Sequence, residues 1–316
     1  MKVRVLHHDH CFDGAASAAF FSRFLREKFH RDAEFLYTGM MHTPNQTWDP
    51  ALFDCEVNAI VDFKFAAQPK LSWWFDHHQS AFLTPEDAEY YKRLNSPQHY
   101  FDPHYRSCTM FIADIAREKY GFRAPELNEL VEWADVIDGA RYANPHEAVE
   151  IKAPATQLVL VIEGTKSPDA VPYIIQQMQT TPLAGIAADP RVQAEFQPLY
   201  QQHLNSIGLI KSVSHNESGV VFFDLADKGV EGYNKFIPYY LFPDSVYTVS
   251  VLTASFRTKI SVGSNPWVND VRHNLATICE RYGGGGHPRV GAISFPRDAV
   301  SHARDVAAEI VRELQS

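Results

Sequence analysis

The sequence predicts an α/β protein: an N-terminal domain on a mostly parallel sheet, a helical connector, and a smaller α+β domain at the C-terminus. Three observations carry this. The apolar runs KVRVLHH, AEFLYTG, VNAIVDF and LSWWF are separated by helical or loop material, the alternation that builds a mostly parallel sheet with helices on both faces. Residues 154–212 read almost wholly as helix, and short strands resume from about residue 216. The expected boundaries are 1–150 for the first domain, 151–215 for the connector and 216–316 for the last domain.

In chain order, KVRVLHH is a strand of β-branched residues, and DGAASAAFFSRFLREKF is a helix with alanine on one side and Phe and Leu further along. SCTMFIADIAREKYG and APELNELVEWADVIDGA are amphipathic helices, the second stopping at Gly139. DPRVQAEFQPLYQQHLNSIGLIKSV is long enough to link two domains and reads equally as a plain packed helix. GVVFFDLA, SVYTVSVLTAS and RTKISVG are short strands, the last two spaced as a hairpin. A helix over DVRHNLATICERY and another from about residue 298 complete the pattern.

Composition narrows the function classes. A chain of 316 residues with 45% hydrophobic content can bury a substantial core. It has no apolar run of about 18 residues to span a bilayer, and MKVRVLHHDH turns polar too soon for a signal peptide, so a cytoplasmic protein is expected. Cys11, Cys55, Cys108 and Cys279 lie far apart and form no CxxC pair, as for reduced thiols rather than a structural zinc site. The net charge of −9 argues against capture of long duplex nucleic acid but leaves a small anion held by metals.

The chemistry gathers at strand ends. LSWWFDHHQS places Asp76, His77 and His78 directly after an apolar strand, Asp62 ends AIVDF, and His7, Asp9 and Asp13 fall at or beyond the end of the first strand. Taken singly, Asp13 reads as a helix cap and the triplet as a polar strand end. Repeated at the carboxyl ends of three strands, where open α/β sheets bind ligands, such a cluster would repel itself unless cations neutralised it. Asp135 and Asp138 add acid at a helix end, where the dipole disfavours it. Oxygen-rich sites with some imidazole suit Mn²⁺ or Mg²⁺, and a pair of such ions is the usual device for phosphoester hydrolysis. In ERYGGGGHPRVGAISF, Gly283 to Gly286 run into His287; so entropically costly a run predicts close approach of backbone amides to an anion.

With these motifs in order, HHDHCFDG, the Asp of IVDF, DHH, WADVIDG and GGGGH, nearly the whole chain resembles the DHH phosphoesterase superfamily and its associated C-terminal domain. The resemblance implies two divalent ions, Mn²⁺ by preference, and hydrolysis of nucleotide or short oligonucleotide phosphoesters in a cleft between domains. It implies that Asp62 bridges the ions, that Asp13, His77 and Asp135 complete one position, with Asp138 as the alternative to Asp135, and that the other is held from among His7, His8, Asp9 and Cys11. It casts His78 as hydrogen-bond donor or acid to the phosphate and Asp76 as the group orienting a histidine. Gly284, Gly285, Gly286 and His287 would bind substrate. Two departures stand out: Cys11 replaces a common aspartate, and a thiolate there favours a softer metal; Gly263 replaces a common arginine, so phosphate recognition passes to Arg257, Lys259 or Arg289.

The leading expectation is a Mn²⁺-dependent phosphoesterase of the nanoRNase or nucleotide-phosphatase type, with no membrane partner and with a dimer among the open oligomeric states. A RecJ-type single-strand exonuclease, a cyclic-dinucleotide or polyphosphate hydrolase, and a non-catalytic metal or nucleotide sensor are the alternatives.

Overall fold

The computed structural model describes residues 1–43, 46–269 and 271–316. Its contacts divide the chain into two units, Met1–Arg141 with Ile151–Leu199, and Tyr142–Glu150 with Tyr200–Ser316. Of the stretch 151–215 expected as a connector, residues 151–199 fall in the first unit and 200–215 in the second, and residues 142–150, expected in the first domain, fall in the second unit too.

The first unit opens with β1 (Lys2–His8), α1 (Phe12–Lys28), β2 (Glu34–Met40), β3 (Val57–Val61) and β4 (Trp73–Asp76). It continues through α2 (Pro85–Leu94), β5 (His99–Phe101), α3 (Cys108–Tyr120) and α4 (Asn128–Asp138). After α5 (Pro145–Val149), a piece of the second unit, come α6 (Pro154–Gly164), α7 (Ala170–Met178), α8 (Leu183–Ala187) and α9 (Pro190–Val213), the last running on into the second unit.

The five strands lie in the order β2-β1-β3-β4-β5, every neighbouring pair parallel. A parallel sheet is covered on both faces, which is why β4 reads WWFD without polar alternation and all four residues are buried. On one face Trp74 joins Leu6, Ile60, Phe63 and Phe65; its indole Nε1 donates to the Phe63 carbonyl at 2.9 Å, so the ring is buried without an orphaned donor. On the other, Trp73 and Phe75 meet Phe21 of α1 in an aromatic cluster. Each such fully buried ring contributes about 1.5–3 kcal/mol.

The strand order reverses between β1 and β3: β1 leads through α1 to β2 on one side, and β3 lies on the other. That switch point is where crossover helices diverge and leave a crevice at the carboxyl ends of the strands. His7 of β1 is paired with Val61 of β3, and Val61 with Phe75 of β4, so His8, Asp62 and Asp76 emerge at one level. Gly14 keeps α1 close to that edge, since a Cβ there would lie 2.2 Å from the His8 carbonyl oxygen.

The second unit contains β6 (His215–Glu217), β7 (Val220–Asp224), α10 (Ile237–Leu241), β8 (Tyr247–Thr253), β9 (Thr258–Ser264), α11 (Leu275–Glu280), β10 (Gly285–His287), β11 (Val290–Phe295) and α12 (Val300–Leu314). Its sheet has the order β10-β11-β9-β8-β7-β6, with β7 and β8 parallel and the other pairs antiparallel. Val249, Val251, Ile260, Val262 and Ile293 pack with residues of α11 and α12. The helix expected over DVRHNLATICERY is shorter: Asn274 caps it by accepting from the Ala276 and Thr277 amides, and Asp270 lies outside the described residues.

Candidate metal centre

Asp62 is the centre of the polar cluster. It follows β3 with φ of +56°, a conformation costly for a non-glycine residue, and its amide donates to the Phe75 carbonyl of β4 at 2.9 Å. The turn holds its carboxylate, 1% exposed, over the edge of the sheet. Oδ1 lies 3.2 Å from His77 Nε2 and 3.8 Å from His78 Nδ1; Oδ2 lies 3.5 Å from His8 Nδ1 and 3.7 Å from Cys11 Sγ. Three sets of candidate ligand atoms result, His8–Cys11–Asp62, Asp62–His77–His78 and Asp13–His77–Asp138, each with all its atoms within 4.8 Å of one another. Asp62 and His77 each belong to two of them.

The supporting contacts fix which atoms face inward. His77 Nδ1 donates to the Tyr105 carbonyl at 3.0 Å, leaving Nε2 directed toward the carboxylates. Asp76, fully buried, accepts from the amides of His77 and His78 at 2.8 and 3.2 Å and from His78 Nδ1 at 2.7 Å. It thereby sets the tautomer and orientation of His78. Asp13 does not cap its own helix: its carboxylate accepts from the Cys108 and Thr109 amides at the start of α3, at 2.6 and 3.0 Å, and from the Thr109 hydroxyl at 2.6 Å. That helix N-terminus favours a carboxylate there.

The electrostatics are those of a site with too many acids. Burial and the neighbouring Asp62 and Asp138 raise Asp13 well above the usual carboxylate range. Burial and the same Asp62 charge push Asp138 up to about 6. Burial opposes the charge of Asp62 too, but His77 and His8 beside it hold its pKa low. Burial likewise opposes a proton on His77, yet Asp62, Asp13 and Asp138 outweigh it and raise the imidazole to about 10. Burial and the carboxylates push the Cys11 thiol up in the same way.

A divalent cation fits this donor set. The buried atoms His8 Nδ1, Asp62 Oδ1, Asp76 Oδ2 and His77 Nε2 make no hydrogen bond among the described residues, and three of them converge on the cluster. Orphaned buried donors and acceptors are costly unless an ion takes up their lone pairs.

The structure brings Cys11, Asp13, Asp62, His77 and His78 together, with Asp76 behind them, and leaves three of the expected ligands outside the sets of mutually close donor atoms. His7, 1% exposed, has its Nδ1 3.0 Å from the His8 carbonyl, and strand alternation presents His8 rather than His7 to Asp62. Asp9 lies over Gly39, where a Cβ would approach its carboxyl carbon to 2.4 Å, and Oδ1 accepts from the His10 amide. Asp135 is drawn away by Arg141 at 2.9 Å and Arg106 at 3.5 Å, whereas Asp138, one turn later on α4, reaches His77 Nε2 at 3.5 Å. Sequence reasoning missed His42, which stacks on Phe63 with ring centroids 4.5 Å apart and lies 4.8 Å from the His8 ring. A lone histidine in the loop after β2 carries no spacing signal.

In the second unit, Arg257 and Lys259 alternate with core residues of β9, so they share a face with Ser261 and with Ser294 of β11, whose hydroxyl accepts from Arg257 at 3.0 Å. Arg289 donates to Ser264 Oγ and to the carbonyls of Asn265 and Val268, contacts that tie it to the 264–268 loop. The glycine run also has a packing reason. A Cβ at Gly284 or Gly286 would lie 2.3 or 2.2 Å from the Ala292 or Val290 carbonyl oxygen of β11, whereas Gly285 has nothing within 4 Å and His287 is exposed.

No protein-family model matches the chain, and no curated protein matches it by sequence. Solved structures do. The pGpG-specific phosphodiesterase PggH of Vibrio cholerae superimposes with a TM-score of 0.70 at 16% identity, over 99% of this chain and 100% of that one. An exopolyphosphatase-related protein of Bacteroides fragilis gives 0.55 at 15% identity, over 99% and 92%. RecJ of Thermus thermophilus, solved with Mn²⁺, gives 0.53 at 12% identity over 99% of this chain but 52% of its own. The likeness is one of fold: the chain shares its architecture with PggH, the exopolyphosphatase-related protein and RecJ.

Proposed function

We propose that the protein is a divalent-metal-dependent phosphoesterase acting on short oligonucleotides or small phosphorylated nucleotides. The observation that carries this is Asp62, a buried carboxylate shared between two sets of donor atoms, with Oδ1 and His77 Nε2 both orphaned. Asp13, His77 and Asp138 would hold one cation, and His8, Cys11 and Asp62 the other, with Asp62 Oδ1 3.2 Å from His77 Nε2 where the two sets meet. Such a pair supplies charge neutralisation of the phosphate and an activated water at neutral pH.

The side chains do the rest. Asp76 accepts from Nδ1–H of His78 and, against the opposing effect of burial, raises its pKa, so that a protonated His78 presents Nε2–H as donor to a phosphate oxygen. Tyr105 and the start of α3 hold His77 and Asp13 in place, so that little reorganisation is needed as charge develops. Within the second unit, Arg257, Lys259, the Gly285 amide and the His287 imidazole have the chemistry to bind a phosphate or terminal group. A short substrate fits the net charge of −9 better than a long single strand does.

A panel of linear dinucleotides including pGpG, longer single strands and phosphorylated nucleosides, assayed with Mn²⁺, tests this. Hydrolysis should favour the shortest substrates, stop on chelation and fail in Asp62→Ala. Turnover that survives chelation would overturn the proposal.

A further inference from the structure

The two halves of the centre are built from different donors. Asp13, His77 and Asp138 offer two carboxylates and one imidazole, a set for a hard cation. The His8, Cys11 and Asp62 set offers nitrogen, sulfur and oxygen in nearly equal parts. Cys11 precedes α1 without capping it, and its Sγ turns toward Asp62 Oδ2 at 3.7 Å. Across from it, His8 Nδ1 is buried and unpartnered, 3.5 Å from the same oxygen. His42 adds a second imidazole from another loop, held flat on Phe63 beside the His8 ring. The other thiol nearby, Cys108, is otherwise engaged, donating to the Phe75 carbonyl at 3.5 Å.

From this asymmetry we infer that Cys11 binds metal as a thiolate, so that the His8–Cys11–Asp62 position selects a borderline, thiophilic divalent cation such as Fe²⁺, Co²⁺ or Zn²⁺ while Asp13–His77–Asp138 takes a hard one. The inference rests on the two-cation reading above. On binding, the Cys11 S–H bond breaks, the proton passes to solvent, and the sulfur lone pair forms the bond to the cation. Borderline metals gain over Mn²⁺ at such a site because both imidazole and thiolate are softer than carboxylate oxygen.

Co²⁺ titrated anaerobically into the full-length, reduced protein tests this without reference to turnover. The expected result is a near-ultraviolet thiolate-to-cobalt charge-transfer band that saturates within two equivalents and vanishes in Cys11→Asp. That variant should still bind two ions, and its preference for Co²⁺ over Mn²⁺ should fall by about tenfold or more, at least what loss of a supporting contact costs. Two bound ions with no charge-transfer band, or a band that survives in Cys11→Asp and disappears only in Cys108→Ser, would overturn the inference and leave the two-cation reading standing. Failure to bind Co²⁺ and Mn²⁺ at all would overturn both. Should Cys11→Asp fail to fold, Cys108→Ser decides instead: a band that persists in it supports the inference, and a band that it abolishes overturns it.

Discussion

Asp62 Oδ1 and His77 Nε2 stand 3.2 Å apart, both buried, and neither makes a hydrogen bond among the described residues. Two strands are bent to bring them there, β3 through a left-handed residue and β4 through the Asp76 turn. A fold that aims a carboxylate and an imidazole at a common point without bonding them has left the point for a third group. Asp138 and Asp13 face it from two helices, which makes a cation the fitting occupant.

The two acids near the end of α4 should therefore behave differently. Asp138→Ala removes a candidate ligand and should cost about 10–100-fold in metal affinity, taken as no less than the loss of a supporting contact, together with most activity. Asp135→Ala removes a contact to Arg106 and Arg141 near the surface and should cost about 0.2–1 kcal/mol of stability while metal titration stays as in the wild type. Isothermal titration with Mn²⁺ and thermal melts separate the two; an Asp135 variant that loses metal as Asp138→Ala does would reverse the assignment.

His78 should separate chemistry from metal binding. Its ring is oriented by Asp76 and it is 30% exposed, so it remains accessible to a phosphate oxygen. His78→Ala should lower kcat by about 10²–10⁴-fold, the span of general acid catalysis, with bound Mn²⁺ stoichiometry unchanged. A fall in metal content that matches the loss of rate would make His78 a ligand instead.

Much of this was legible in the sequence, for a physical reason: a parallel strand buried on both faces writes itself as an unbroken apolar run, and whatever polar residue ends the run stands at the sheet edge. That rule finds Asp62, Asp76, His77 and His78. It fails where two neighbours compete for one direction. HHDHC offers His7 and His8 on opposite faces of β1, and only the packing of α1 against the strand end, which Gly14 permits, decides that His8 meets Asp62. Asp135 and Asp138 fall on one helix face, and the pull of Arg106 and Arg141 on the former depends on loops the sequence does not place. Arg289 reads as a free cation until the 264–268 loop folds onto it.

Metal uptake should expel protons. His77 is raised from 6.5 to about 10, so it carries a proton at neutral pH unless a cation replaces it. A raised folded pKa means that its contribution to stability is full below about 6.5 and fades as pH climbs through about 10. Ligation needs the neutral imidazole, so apparent affinity for Mn²⁺ should rise with pH across the neutral range. Calorimetry in two buffers of different ionisation enthalpy should report proton release at pH 7, with His77→Gln releasing about one proton fewer. Equal apparent enthalpies in both buffers would remove His77 from the ligand set.

The glycine run allows packing and substrate binding to be told apart residue by residue. Gly284 and Gly286 are confined by β11: a Cβ at either would meet a backbone oxygen that cannot move aside, and Gly286 also has φ of +155°. Gly284→Ala and Gly286→Ala should each cost about 1–3 kcal/mol and lower Tm whether or not the loop touches substrate. Gly285 has open space around it, so Gly285→Ala should leave Tm near the wild-type value. If the loop holds a non-reacting part of the substrate, crowding at Gly285 and loss of the imidazole in His287→Ala should raise KM while leaving Mn²⁺ affinity unchanged, because neither residue belongs to the first unit's ligand sets. Unchanged KM and kcat in both variants would mean that the run serves only to seat β10 against β11, and that phosphate recognition in this unit falls to Arg257 and Lys259.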